Sequence, residues 1–358
     1  MLIRYGKSQS GKRIKVAEIY TLQDHRIGRE KIDKGALFIA DRLNAVGYKA
    51  YIVGGAVRDL LLEKKPKDFD VVTNATPETI RKLFRRSRIV GNRFQLVHVY
   101  LPDKVIEVST FRSGSMAENN YYGTLKEDVS RRDFTVNALY YCPCKQQILD
   151  FKSGMKDLRE RRLRLILPLE RVFVEDPVRI LRAVKYAAIT GFRLPGKYRR
   201  RIRKDAKRLE NCPSSRLTEE LFKILESGSS YRIFEMIYRL EVLRYLLPSI
   251  YSLLKFSKSD AEGTAYQRKW FKNLKELDRR VGKSKEVKRS SMIVAIVLPF
   301  LSLPEQRGGL REVYYTELFY GIKSILKPLT PPNRDVDEAV KIILKNSPDS
   351  VTEKLTPF

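Results

Sequence analysis

Apolar residues recur at helical spacing through Ile32, Leu37, Ile39, Ala40 and Leu43, and the run stops at Gly47. That pattern predicts an amphipathic helix closed by a glycine. The period then shortens. "KAYIV", "DFDVV", "RIV", "FQLVHVYL" and "KVIEVSTF" are brief β-branched and aromatic runs, each predicting a strand. Between them "TPETIRKLFRR" predicts a helix with Thr76 as N-cap, Pro77 at its first position, and Ile80, Leu83 and Phe84 facing inward. Beyond about residue 160 the strand signals fade. "EDPVRILRAVKYAAITGF", "SRLTEELFKILESG", "YRIFEMIYRLEVLRYLL" and "VDEAVKIILKN" follow as helices. The expectation is an α+β chain, with a mixed-sheet head over 25–160 and helical parts over 161–228 and 229–358. Residues 1–24, polar and basic, are expected to form a mobile arm.

Charge narrows the class of partner. The 358 residues carry 71 Lys and Arg against 42 Asp and Glu, a net +29. An excess of that size points to a polyanion, because phosphates neutralised by Lys and Arg release counterions. Cysteine adds little: Cys142 and Cys144 form a lone C-x-C with no second pair, which supports neither a zinc site nor a disulfide framework. A reducing, cytoplasmic setting is expected. The basic N-terminus lacks the apolar core of a signal peptide. The longest apolar run, "MIVAIVLPFLSL" from Met292, is too short for a bilayer and contains Pro299, so it predicts a buried helix. No internal repeat suggests a solenoid.

Candidate chemistry is densest in "YIVGGAVRDLLLEKKPKDFDVVT". A strand ends at Gly54 and Gly55, where glycine lets backbone N–H groups approach a phosphate at the start of a helix. Arg58 falls on the first turn of that helix, placed for a phosphate oxygen. Asp68 and Asp70 are two residues apart, so on one strand they share a face and repel unless a cation sits between them. Magnesium takes oxygen ligands, commonly one or two carboxylates together with substrate phosphates. Two such ions can stabilise both attacking and leaving oxygens at phosphorus. Glu107 interrupts the apolar strand "KVIEVSTF". It reads as a third metal carboxylate or a general base, or else as an edge acid facing solvent or Arg112.

These residues carry a resemblance. "GGAVRDLLL" with "KDFDVVTNATPE", then "RRDFTVNALYY", then "EDPVRILRAVKYAA" occur in the order seen in the class II nucleotidyltransferases. The chain is similar there to the bacterial poly(A) polymerases, and that class also contains the CCA-adding tRNA enzymes. The similarity runs from "HRIGREKI" to about Ile250 and is weak beyond it. It implies a polymerase-β-like head with a helical neck, body and tail. It implies that Asp68 and Asp70 bind catalytic Mg2+, and that ATP and an RNA 3′ end are the substrates. Two positions depart from the family pattern: Glu63 and Ser153 stand where glycine is usual.

In "RRDFTVNALYY", Arg131 and Arg132 offer forked donors to triphosphate oxygens. Asp133 can accept from a ribose hydroxyl, the selection that the resemblance implies for this motif, or can N-cap a helix starting at Phe134. Asn137 would then lie one turn into that helix. In "EDPVRILRAVKYAA", Asp176 is an expected N-cap before Pro177, and Asp176, Arg179 and Arg182 recur at i+3 so that they can be presented together. A carboxylate accepts from an exocyclic amine and a guanidinium donates to a ring nitrogen. Adenine and cytosine offer that pair of groups, whereas guanine and uracil do not. The choice between A and C stays open on these residues. "HRIGREKI", "RIVGNRFQLVHV" and "GTLKEDVSRRDFTVNALYY" resemble poly(A) polymerases more than CCA-adding enzymes. Basic runs such as "KYRRRIRKDAKR", with Tyr198 as a stacking candidate, would hold RNA phosphates without reading sequence.

Overall fold

The computed structural model describes residues 1–7, 10–91, 95–113, 122–256, 261–283, 286–301 and 311–345, with backbone alone at 256, 261–264 and 311–314. Residues 92–94 of "RIVGNRFQLVHV" and the chain end after 345 lie outside the described residues. The chain divides into two units, Met1–Pro168 and Leu169–Phe358.

The first unit is built on one mixed sheet: β1 (Leu2–Lys7), β2 (Arg13–Tyr20), β3 (Ala50–Val53), β4 (Asp70–Thr73), β5 (Ser87–Val90), β6 (Leu96–Tyr100), β7 (Val105–Thr110), β8 (Leu139–Cys142) and β9 (Gln147–Asp150). Their order across the sheet is β1-β2-β9-β8-β3-β4-β7-β6-β5. Neighbours run antiparallel except β4 and β7, which are parallel, with Val71 opposite Val108. The helices of this unit are α1 (Leu22–His25), α2 (Lys34–Ala45), α3 (Gly55–Leu61), α4 (Pro77–Leu83), α5 (Leu125–Arg131) and α6 (Gly154–Arg159). The predicted stripe on α2 is buried at Ala36, Ile39, Ala40 and Leu43, with Asp33 as N-cap. Thr76 caps α4 by accepting from the Thr79 amide.

Three expectations for this unit need correction. Residues 1–24 are not a mobile arm: β1 and β2 pair with each other, and Glu18–Tyr20 pair with β9. Their polar sequence misled because this hairpin lies at the sheet margin, where it is largely solvent-exposed. The strand expected to carry both aspartates begins only at Asp70, and Asp68 lies before it. Val53 is the last β3 residue to pair, opposite Asp70, and the chain then turns away at Gly54, so Asp68 has no strand to pair with. Finally, no helix starts at Phe134. Thr135–Asn137 make one 3-10 turn, and "LYYC" enters the sheet as β8. Phe134 bridges to Leu165 and the Thr135 amide donates to the Arg164 carbonyl, which commits this backbone to extended pairing.

The second unit is helical: α7 (Leu169–Glu175), α8 (Val178–Thr190), α9 (Gly196–Asp205), α10 (Ser214–Leu225), α11 (Ser230–Arg239), α12 (Leu243–Leu246), α13 (Pro248–Phe256), α14 (Ala261–Gly282), α15 (Arg289–Val297), α16 (Arg311–Leu326) and α17 (Asn333–Lys345). Its core includes Phe222, Phe234, Ile237 and Trp270. The apolar run from Met292 is the buried helix expected, with Met292, Ile293, Ile296 and Val297 inside. No helix among the described residues is long and apolar enough to cross a membrane. Tyr198 is buried in α9, so it packs the core and is not a stacking platform.

Candidate active site

The turn from β3 into α3 rests on one glycine. Gly54 has φ +79° and ψ −133°, a combination that side chains exclude, and a Cβ there would lie 3.6 Å from Asp70 Oδ2 and 3.8 Å from Arg132 Nη1. The chain therefore reverses directly beside a carboxylate and a guanidinium. Asp70 opens β4. The register of β4 with β7 sets Asp70 beside Glu107, one residue before the Val71–Val108 pair. Asp70 is exposed at the surface on one side, yet protein packs closely enough around its carboxyl to strip much of its water, and negative charge lies near it. Desolvation, then Glu107 and Asp68, push its carboxyl up to about 6, against the opposing pull of Arg132 and Arg112. Glu107 faces His98 across β6, Nε2 to Oε1 at 3.5 Å, and its side chain is half exposed.

Among the described residues no three His, Cys, Asp or Glu converge as a ready-made metal cage. Magnesium does not need one, since it keeps several waters and takes one or two carboxylates plus phosphate oxygens. The donors around Asp70 are hard oxygens with an excess of negative charge, which suits that ion.

Arg132 is held from two sides. Asp128 Oδ2 accepts from its Nη2 at 3.1 Å, Tyr140 Oη accepts from its Nε at 2.7 Å, and the Tyr140 hydroxyl donates to the same Asp128 oxygen at 2.6 Å. The guanidinium also lies over the Tyr140 ring, 5.0 Å from its centroid. Burial would lower the pKa of Arg132, but the Tyr140 hydroxyl and the Asp128 charge raise it, so the cation persists. Sequence reasoning missed both partners. Asp128 had a legible signal, four residues ahead of Arg132 on α5; Tyr140 had none, because only the sheet brings β8 to α5.

The remaining head residues are more enclosed. Arg58 is buried, donating from Nη1 to Asn137 Oδ1 at 2.6 Å and from Nε to Asp59 at 2.8 Å. Its guanidinium thus ties α3 to the turn at Asn137, with Gly55 leaving space above Nη2, 3.5 Å from where a Cβ would stand. Arg131 donates to the Ser113 carbonyl at 2.6 Å. Asp133 is buried, and the extended Phe134 after it means that it caps no helix. Behind them, buried Asp157 accepts from Thr135 Oγ1 at 2.6 Å and Arg164 Nε at 2.7 Å. A Cβ on Gly154 would meet the Thr135 carbonyl at 2.3 Å, so the second motif is packed against a glycine.

In the second unit, Asp176 Oδ1 accepts from the Val178 amide at 3.2 Å just ahead of α8, and its Oδ2 receives Arg216 of α10 at 2.7 Å. Arg179 Nε is 3.9 Å from the same oxygen. Further along α8, Lys185 donates to Glu220 at 3.0 Å, both buried. Burial would raise the Glu220 carboxyl, but Lys185 and Arg182 outweigh it and hold the group below its usual range. The i+3 row Asp176, Arg179, Arg182 is thus braced by Arg216 and Glu220, one turn apart on α10. Their spacing along the chain gave no hint of it.

The sequence matches two family models: the poly A polymerase head domain over 50–164, and a probable RNA- and SrmB-binding site of polymerase A over 191–254. It is 36% identical to poly(A) polymerase I of Salmonella typhi over 345 residues, 88% of this chain and 73% of that protein. The chain belongs to the poly(A) polymerase family. Against poly(A) polymerase I of Escherichia coli O6:H1 the identity is 43% over 245 residues, which is 64% of this chain and about half, 53%, of that protein. The fold is also that of a CCA-adding enzyme of Bacillus stearothermophilus crystallised with CTP, at 25% identity and TM-score 0.57, covering 86% of this chain and 80% of that one. Both branches of the family named by the sequence motifs are therefore among its relatives.

Proposed function

We propose that this chain is a template-independent RNA nucleotidyltransferase that adds AMP from ATP to RNA 3′ ends and releases pyrophosphate. The observation that carries this reading is the place of Asp70: it opens β4 beside Glu107 of β7, and its Oδ2 and Arg132 Nη1 both lie within 4 Å of the Cβ position at Gly54, where the chain reverses. An accessible carboxylate with a second acid beside it and a fixed cation near by suits a metal-bound triphosphate. Magnesium held by Asp68 and Asp70 would activate the primer hydroxyl and steady the leaving phosphates. Arg132 donates to triphosphate oxygens, with Asp128 and Tyr140 fixing its aim. Gly54 and Gly55 keep the approach free of side chains. Asp133 and Asn137, the latter tied to Arg58, belong to the ribose-side wall, and Arg131 supports it through Ser113. In the second unit Asp176, Arg179 and Arg182 present the edge that accepts adenine or cytosine.

Adenine is favoured by the relatives that are 36% and 43% identical to this chain and bear the name poly(A) polymerase I. The likeness to a CCA-adding enzyme bound to CTP supports the second reading, CCA addition to tRNA. One experiment separates them. The purified protein is given magnesium and single nucleotides with two labelled primers, an oligoadenylate and a tRNA lacking its CCA end. A ladder from ATP alone on the oligoadenylate is expected. Three nucleotides from CTP plus ATP on the tRNA, followed by arrest, would replace this reading with the second. A folded protein that incorporates nothing would remove both and leave an RNA-binding scaffold. A cytoplasmic location and a role in mRNA 3′-end processing are further parts of the first reading.

A further inference from the structure

The same sheet face that carries Asp70 bears a cavity further along. Asp70 pairs with Val53 and Tyr51 with Val72, so Tyr51 lies on that face two residues along β3. There a cavity of about 500 Å³ opens between the N-terminal hairpin and the start of α5. Its volume is within the ~300–1,000 Å³ range of small-ligand sites. Tyr51, Phe111 and Phe151 line it, with the Tyr51 and Phe111 rings 6.2 Å apart and inclined by 31°. Arg4, Lys49 and Lys126, all exposed, contribute cations to the same lining. Tyr5 stands beside them, 46% exposed, with the Arg13 guanidinium 3.9 Å over its ring. None of these residues belongs to the cluster around Asp70.

We propose that this cavity is an accessory RNA site, holding one nucleotide of the single strand upstream of its 3′ end. Half-buried Tyr51 and Phe151 supply flat apolar faces to a base, and the three cations bind its phosphates. Aromatic platforms inside a basic groove bind single-stranded nucleic acid with little sequence preference, each stacked base contributing about 1–3 kcal/mol. Charge complementarity selects this occupant over an apolar peptide, for the rim is cationic and the whole chain carries +29. The N-terminal hairpin thereby has a role: it walls a binding site at the edge of the sheet. The inference rests on the proposed RNA substrate and adds a place where that substrate is gripped.

The test uses the full chain and a fluorescent oligoadenylate, with affinity measured across a salt series. The charge-reversed pair Lys49→Glu with Lys126→Glu is compared with Lys145→Glu, an exposed lysine in the β8–β9 turn outside the cavity. The pair is expected to weaken binding at least tenfold and to lower the salt slope by about 1.4, roughly 0.7 for each single-strand phosphate that is no longer neutralised. Tyr5→Leu, which leaves the charge unchanged, should weaken binding severalfold, and photocrosslinking of the wild type should label the Tyr51 or Phe151 peptide. Equal effects of the pair and the Lys145 control, or crosslinks from free ATP alone, overturn the proposal. Wild-type protein that extends the oligoadenylate while showing those results loses only this site; protein that neither binds nor extends it loses the proposed function as well.

Discussion

Two clusters of acid and base occupy the two units, and they are wired in opposite ways. Around Asp70 the acids prevail: desolvation, then the charges of Glu107 and Asp68, drive its carboxyl up to about 6 against the pull of Arg132 and Arg112. Around Glu220 each acid meets a base: Lys185 at 3.0 Å for Glu220, and Arg216 at 2.7 Å for Asp176. The first arrangement is one that a bound cation would relieve. The second has its charge matched internally and serves to hold a shape. An uncompensated cluster is therefore where chemistry is expected, and a compensated one is where a binding edge is kept rigid.

Breaking the first cluster should have the largest effect. Asp70→Ala is expected to lower nucleotide incorporation roughly a thousandfold or more, while RNA affinity is not reduced. Undiminished incorporation would remove Asp70 from the metal site. The same contrast has a pH signature. A carboxyl raised in the folded state binds more protons there than in the unfolded chain, so without metal the Asp70 contribution loses stability as pH rises through about 4 to 6. Magnesium affinity should rise over that interval, readable by calorimetry. Glu220 has the opposite sign: its lowered carboxyl contributes stability above the usual carboxylate range and loses it as pH falls below.

Removing one partner of the second cluster should cost fold, not chemistry. Glu220→Gln leaves Lys185 buried without its counter-charge and is expected to destabilise the protein by about 3 kcal/mol in denaturant unfolding. A change under about 1 kcal/mol would mean that Lys185 finds water or another acid. Asp128→Asn falls between the two. It weakens the charge-assisted grip on Arg132 and should raise KM for the nucleotide roughly 10-fold, with Tyr140→Phe smaller, because these bonds contribute about 1.5–3 kcal/mol when charged and about 1 otherwise. Equal kinetics for both variants would show that Arg132 is aimed by packing alone.

The smallest effect concerns the two departures from the family pattern. Glu63 and Ser153 have φ +57° and +59°, the left-handed region where glycine is unstrained. Glu63→Gly and Ser153→Gly should each stabilise the protein by up to about 1 kcal/mol, seen as a higher Tm, without moving the acidic cluster. No change would show that local hydrogen bonding already offsets the strain.

What the sequence determined by itself was local. The stripe of α2, the Thr76 cap of α4, the apolar helix at Met292 and the short β-branched strands were legible because period and capping act within a few residues. The order of the motifs was also legible, and with it the family. Tertiary structure decided what depends on partners far along the chain. The exposed hairpin reads as polar until β9 supplies its ladder, and "TVNALYY" reads as a helix start until β3 and β9 flank it as a strand. Asp68 and Asp70 were expected to share one strand, but the turn at Gly54 ended the pairing at Asp70. The grip of Tyr140 on Arg132 and of Arg216 on Asp176 had no signal in spacing, since each joins elements that only the fold makes neighbours. Charge behaves likewise: composition sets the net +29, but only three-dimensional placement leaves Asp70 crowded by acids and Glu220 matched by bases.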